Sequence, residues 1–135
     1  VHPHYNSSIM YENEIDFVMQ NTDPELVGFG PDTAHLIAGR CDPVAMFDRY
    51  KERIKFVHLK DITGDMDVRG IDQTIGVEVY SNFRELGEGI VDFPGVFRVL
   101  KSVGYGGYLC AELDKTRYTN KASAAISLKY LNENW

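Results

Sequence analysis

Apolar positions along this chain change their spacing several times, and each change marks a new element. Residues 14–20 put Ile15, Val18 and Met19 on one face at helical spacing. Asn21-Thr22-Asp23-Pro24 breaks that pattern. Residues 26–30 form a short apolar run suited to a buried strand, ended by Pro31-Asp32. Asp42-Pro43 opens the next helix, with Asp as N-cap and proline at the first helical position, where its missing N–H would have no partner anyway. Val44, Met46, Phe47 and Tyr50 give that helix its inner face. Residues 54–59 read as a strand, and residues 61–92 as a long loop without a strong period, a length usually kept for function or mobility. Phe93, Val96, Phe97 and Leu100 then define an amphipathic helix over 93–103, with Asp92 as its N-cap. Gly104-Tyr105-Gly106-Gly107 ends it with residues that accept positive φ. Residues 108–113 are the last strand, and 120–135 a terminal helix with apolar positions Ala124, Ile126, Leu128 and Leu131. Residues 1–4 read as the end of a strand whose body would precede them.

The order is a strand end followed by αβαβαβα, which predicts parallel strands joined by right-handed helical crossovers. Composition is that of an ordinary folded protein, with 44% hydrophobic and 25% charged residues, so disorder is excluded. A net charge of −6 argues against a nucleic-acid partner, because phosphate neutralisation needs clustered Lys and Arg. No apolar run reaches the roughly 18 residues of a membrane span. Cys41 and Cys110 fit no zinc or redox spacing and read as reduced thiols of a cytoplasmic protein.

In parallel α/β architectures ligands gather at the C-terminal ends of the strands. The polar residues standing there are His2 and His4, then Asp32 and His35, then His58, Lys60 and Asp61, and finally Glu112 and Asp114. All four histidines of the chain fall in this set. Each predicted strand thus offers a ligand at the same end. Mixed nitrogen and oxygen donors suit a divalent metal, manganese or cobalt first, with zinc, iron or magnesium as alternatives. Glu112 ends a buried strand and requires a cation, which a metal, a lysine or an arginine could supply. Either His2 or His4 can be the first ligand. Lys60 reads equally as a general acid, an oxyanion stabiliser or a solvated loop charge.

The motifs HPH, TDPELVG, PDTAH, RYKERIKFVHLKD, FRELGEGIVDFPGVF, GYGGYLCAELD and KASAAISLKYL resemble the sugar phosphate isomerase/epimerase superfamily, in order and over essentially the whole chain. The HPH, ELGEGIVDFP and ELD stretches are most similar to its inosose dehydratase branch. The resemblance implies a xylose isomerase-like (β/α)8 barrel, of which residues 1–135 would be a single domain forming the C-terminal half. A full barrel needs about 250 residues, so the N-terminal half would be absent. It further implies metal ligands at His2, Asp32, His58 and Glu112, catalytic roles for Glu112, His35 and Lys60, and substrate contacts from His4, His35, Asp61 and Glu85. Many superfamily members carry a glutamate where His2 stands; that glutamate serves as ligand and acid/base, and a histidine cannot replace it as a carboxylate base.

The implied reaction is loss of water from a keto-inositol by way of a metal-stabilised enolate. Ketose epimerisation or aldose–ketose isomerisation would use the same site. A non-catalytic half-barrel is the third expectation. In each case the partners are a small sugar or cyclic polyol, together with the missing half of the barrel or a second copy of the chain, which would cover the exposed strand edges.

Overall fold

The computed structural model describes residues 1–64 and 79–135. Four stretches of chain lie side by side in sequence order. The Val1 amino group donates to the Gly28 carbonyl and the Gly30 N–H donates back to the Val1 carbonyl, at 2.6 and 2.7 Å. Phe29 bridges Ile54 and Asp32 bridges His58, both in parallel. Strand β1 (Val57–Leu59) pairs in parallel with the last stretch, Leu109–Ala111, placing His58 opposite Cys110. All four stretches therefore run the same way and end at the same side, as the alternating pattern predicts.

The helices form where capping and burial agree. Helix α1 (Glu12–Gln20) starts two residues earlier than its apolar period suggests, because Glu14 accepts the N–H groups of Met10 and Tyr11 at 2.8 and 2.9 Å. Helix α2 (Thr33–Ala38) was not predicted. It has six residues, five of them buried, so it offers no polar face for a period to show. Helix α3 (Pro43–Arg49) opens at the expected Asp42 cap, whose Oδ1 accepts from Val44 and Ala45. A single 3₁₀ turn, Lys51–Arg53, follows it. Arg53 from that turn donates to the carbonyls of Val27 and Met19, holding the connection that leads into residues 28–32. The expected strand over 26–30 shrinks to a bridge at Phe29, since Leu26 lies in a turn and is 82% exposed.

The expected loop over 61–92 contains a small antiparallel pair. Strand β2 (Asp61–Ile62) meets β3 (Phe83–Arg84), with a 3₁₀ turn at Val79–Asn82. Helix α4 (Phe93–Ser102) starts on Asp92, which accepts from Gly95, and buries Phe93, Val96, Phe97 and Leu100. It packs on α3. Gly104, at φ +64, turns the chain out of α4 towards β4 (Leu109–Ala111).

The last helix, α5 (Asn120–Asn134), departs from its sequence pattern. Its buried residues are Ser123 and Ser127, while Ala124 is exposed and Leu128 is 59% exposed. Between α5 and β4 lies an open groove of about 520 Å³, lined among others by Leu109, Leu113, Leu128 and Leu131. Beyond β4 no described strand pairs with its outer edge.

Candidate metal centre

Three side chains converge where the parallel stretches end. One ligand atom each from His2, Asp32 and His58 lies within 4.8 Å of the others. The sequence places these residues on three neighbouring stretches, and the register brings them level. Asp32 is the N-cap of α2, and its Oδ1 accepts from the backbone of Ala34 and His35, both at 3.0 Å. That capping fixes the carboxylate and leaves Oδ2 aimed at the cluster. His2 Nδ1 sits 2.8 Å from the Gly30 carbonyl. A carbonyl only accepts, so Nδ1 carries the proton and Nε2 keeps a free lone pair.

Among the described residues, Asp32 Oδ2 and His58 Nδ1 are buried side-chain atoms without a hydrogen bond. Such atoms are costly unless something else satisfies them. His58 Nδ1 lies 2.5 Å from Glu112 Oε2 and 3.8 Å from Asp32 Oδ2. The pair is close enough for an ion pair, yet His58 Nδ1 makes no hydrogen bond. Two ligand atoms crowd one another without bonding, facing a third. Imidazole and carboxylate donors, two of them otherwise unsatisfied, fit a divalent metal. His4 stays outside this set: its Nδ1 donates to the Tyr5 carbonyl at 2.8 Å, and its ring lies 3.8 Å from that of His35.

Lys60 is fully buried beside the cluster. Its ammonium lies 2.8 Å from Asp114, 3.1 Å from Glu112, 3.5 Å from Asp32 and 4.7 Å from the centre of the Phe83 ring. Burial alone would lower its pKa, but the Asp32, Asp114 and Glu112 carboxylates outweigh burial and raise it. Lys60 therefore holds its proton more firmly than a free lysine. His35 is the opposite case. Burial first, then the Lys60 charge and the neighbouring histidines, push its pKa down to about 2. Its Nδ1 accepts the Tyr5 N–H at 3.1 Å, so the neutral ring carries its proton on Nε2. The 3.4 Å approach of Lys60 to that Nε2 is then a contact of two donors. Burial also raises the Asp32 carboxyl, against the opposing pull of Lys60.

Asp61 and Glu85 are placed differently. Asp61 is buried with both oxygens taken: Oδ1 accepts from Ile62 and Val91, and Oδ2 from Gly87 and Gly89 at 3.0 and 2.8 Å. The glycine-rich stretch is thus a cradle filled by the chain's own carboxylate. Gly87 takes φ +86, and a Cβ at Gly89 would collide with Asp61 Oδ1. Glu85 is buried against Thr116, which donates to it. Asp114, as a partner of Lys60, was not foreseen; its spacing two residues after Glu112 was the available signal.

The model of the xylose isomerase-like TIM barrel family matches residues 1–134. The chain belongs to that family. Among curated relatives, the inosose dehydratase of Clostridium tetani is 36% identical over 138 residues, covering 98% of this chain and 46% of its own. That of Lacticaseibacillus casei is 32% identical over 136 residues, covering 97% and 46%. The chain therefore spans about half the length of the curated relatives it matches. Among solved structures, the probable 3-DHS dehydratase AsbF of Bacillus anthracis superposes with a TM-score of 0.71 at 17% identity, over 98% of this chain and 48% of that one. A xylose isomerase domain protein from Planctomyces limnophilus gives 0.69 at 20%, over 98% and 42%. These likenesses establish the barrel fold. Among the described residues, no helix is long and apolar enough to cross a membrane.

Proposed function

We propose that this chain supplies one half of the active site of a metal-dependent lyase of the inosose dehydratase type. The observation that carries the reading is the convergence of His2, Asp32 and His58, with two ligand atoms buried and unpaired, in a chain whose curated relatives are inosose dehydratases. Glu112 joins the set from β4. Manganese or cobalt fits these donors best, and such an ion would polarise the carbonyl of a keto-polyol and so acidify the neighbouring C–H.

The chain's own groups divide the remaining work. Glu112 accepts the proton from carbon, and the Lys60 ammonium gives a proton to the departing hydroxyl. One C–H and one C–O bond break, a C=C bond forms, and water leaves. His35, neutral with its proton on Nε2, donates a hydrogen bond to substrate oxygen, with His4 stacked beside it. Asp61 and Glu85 serve by pinning the loop at the mouth of the site, since their oxygens are already engaged. The open edge of β4 and the open groove beside α5, with Leu109, Leu113, Leu128 and Leu131 in its lining, support completion of residues 1–135 by the other half of a barrel.

Titration of the purified protein with Mn²⁺ tests the metal. Asp32→Ala and His58→Ala are each expected to weaken binding by roughly a hundredfold. Unchanged affinity in both would overturn the reading. With 2-keto-myo-inositol, the completed barrel should release water in a metal-dependent way; inversion at carbon with ketohexoses would assign an epimerase instead.

A further inference from the structure

Lys60 stands where it can compete for the site. Its ammonium reaches four groups, and two of them, Asp32 and Glu112, are proposed ligands. A buried cation this close to a metal site holds the same carboxylates that a metal must take. Glu112 divides its oxygens accordingly: Oε1 is 3.1 Å from Lys60, and Oε2 faces His58. The shortest contact of Lys60 is to a carboxylate outside the ligand set, Asp114 at 2.8 Å. His35 is no alternative, because its Nδ1 already accepts from Tyr5. Asp114 is the third carboxylate in reach.

We propose that Asp114 is a positioning residue that keeps the Lys60 ammonium from closing on Asp32 Oδ2, 3.5 Å away, and from reaching Glu112 Oε2, leaving those two oxygens to a divalent cation. The proposal rests on the metal reading above. Without Asp114, the buried ammonium has only ligand carboxylates to pair with, since it cannot remain unpaired at that depth. Lys60 then becomes an internal competitor of the metal. The effect of Asp114 therefore runs through Lys60, whereas a ligand, or a remote negative charge, would act with or without it.

Mn²⁺ binding, read by the electron paramagnetic resonance of the free ion, separates these cases. Asp114→Asn should weaken Mn²⁺ affinity about tenfold, as loss of an outer partner typically does. Lys60→Met should bind Mn²⁺ at least as tightly as the unaltered protein. The decisive comparison is the double variant, which should match Lys60→Met, because nothing is left for Asp114 to restrain. Asp114→Glu should restore most of the lost affinity, and it needs no change in the buried core should Lys60→Met fail to fold. An equal loss from Asp114→Asn in both backgrounds overturns the proposal, as does unchanged affinity in Asp114→Asn alone. Absence of Mn²⁺ binding by the unaltered protein would overturn the metal reading itself, and this inference with it.

Discussion

Residues 1–62 and the β4–α5 segment both supply side chains to one cluster, yet they are enclosed to very different degrees. On the first wall Asp32 and Lys60 are fully buried, and Leu36, Phe47 and Leu59 behind them are equally closed. On the second, Glu112 and Asp114 keep about a third of their side-chain surface, at 35% and 32%. Tyr108 is 89% exposed and Cys110 is exposed. The first wall is positioned by its own packing. The second is held by one parallel pairing, by the Lys60 ion pairs, by Thr116 and Arg117 on Glu85 and Glu88, and by ring contacts of Tyr130 and Trp135, with a groove still open beside it. A cluster built across such a seam sets the fully buried Asp32 against the partly exposed Glu112.

Core truncation should break the symmetry most visibly. Phe47→Ala on the closed wall should cost about 3–5 kcal/mol in urea denaturation. Leu128→Ala on the open wall should stay within about 0.5 kcal/mol. Equal costs would mean that the groove is packed in solution and the contrast is wrong. A middle-sized effect is expected at Asp32. Its carboxyl pKa is raised in the fold, chiefly by burial, so ionising it costs stability. That cost is absent below the unfolded pKa and complete above the folded one. In metal-free protein at pH 7, Asp32→Asn should therefore stabilise by about 1 kcal/mol, raising the melting midpoint by a few degrees. A lowered midpoint would show that the Lys60 pairing outweighs burial. The mildest test changes no residue. Cys41 is buried, and its thiol is pushed up to about 11 by burial and by Glu12 and Asp16. At pH 8 a disulfide reagent should label Cys110 quickly and Cys41 only on unfolding.

The sequence was most legible where one residue decides an element. Asp42-Pro43 and Asp92 open their helices as expected, and Gly104 closes α4. The shared level of Asp32 and His58, which bridge in parallel, follows from strands that end together, and the alternating pattern already implied it. Helix α2 escaped because its residues are buried nearly all round. The faces of α5 differ from the apolar pattern because Ser123 and Ser127 are its buried residues, while Ala124 and Leu128 are exposed. Glu112 called for a cation, with metal and lysine as the open choices; the geometry gives it Lys60 on one oxygen and the cluster on the other. Asp114 could be placed at the strand end from sequence, but its pairing with Lys60 could not, since that is a 2.8 Å contact across 54 residues.

The pairing of Ile62 with Phe83 has one more consequence. Ile62 and Phe83 lie side by side, so the segment that joins them begins and ends at adjacent points, and Asp61 accepts from the stretch after Phe83. Residues inserted between such neighbouring ends need not separate the paired strands. Loop closure grows only logarithmically with length, about 0.6 kcal/mol per doubling. This is the position where a reporter peptide could be inserted at the least cost in loop closure.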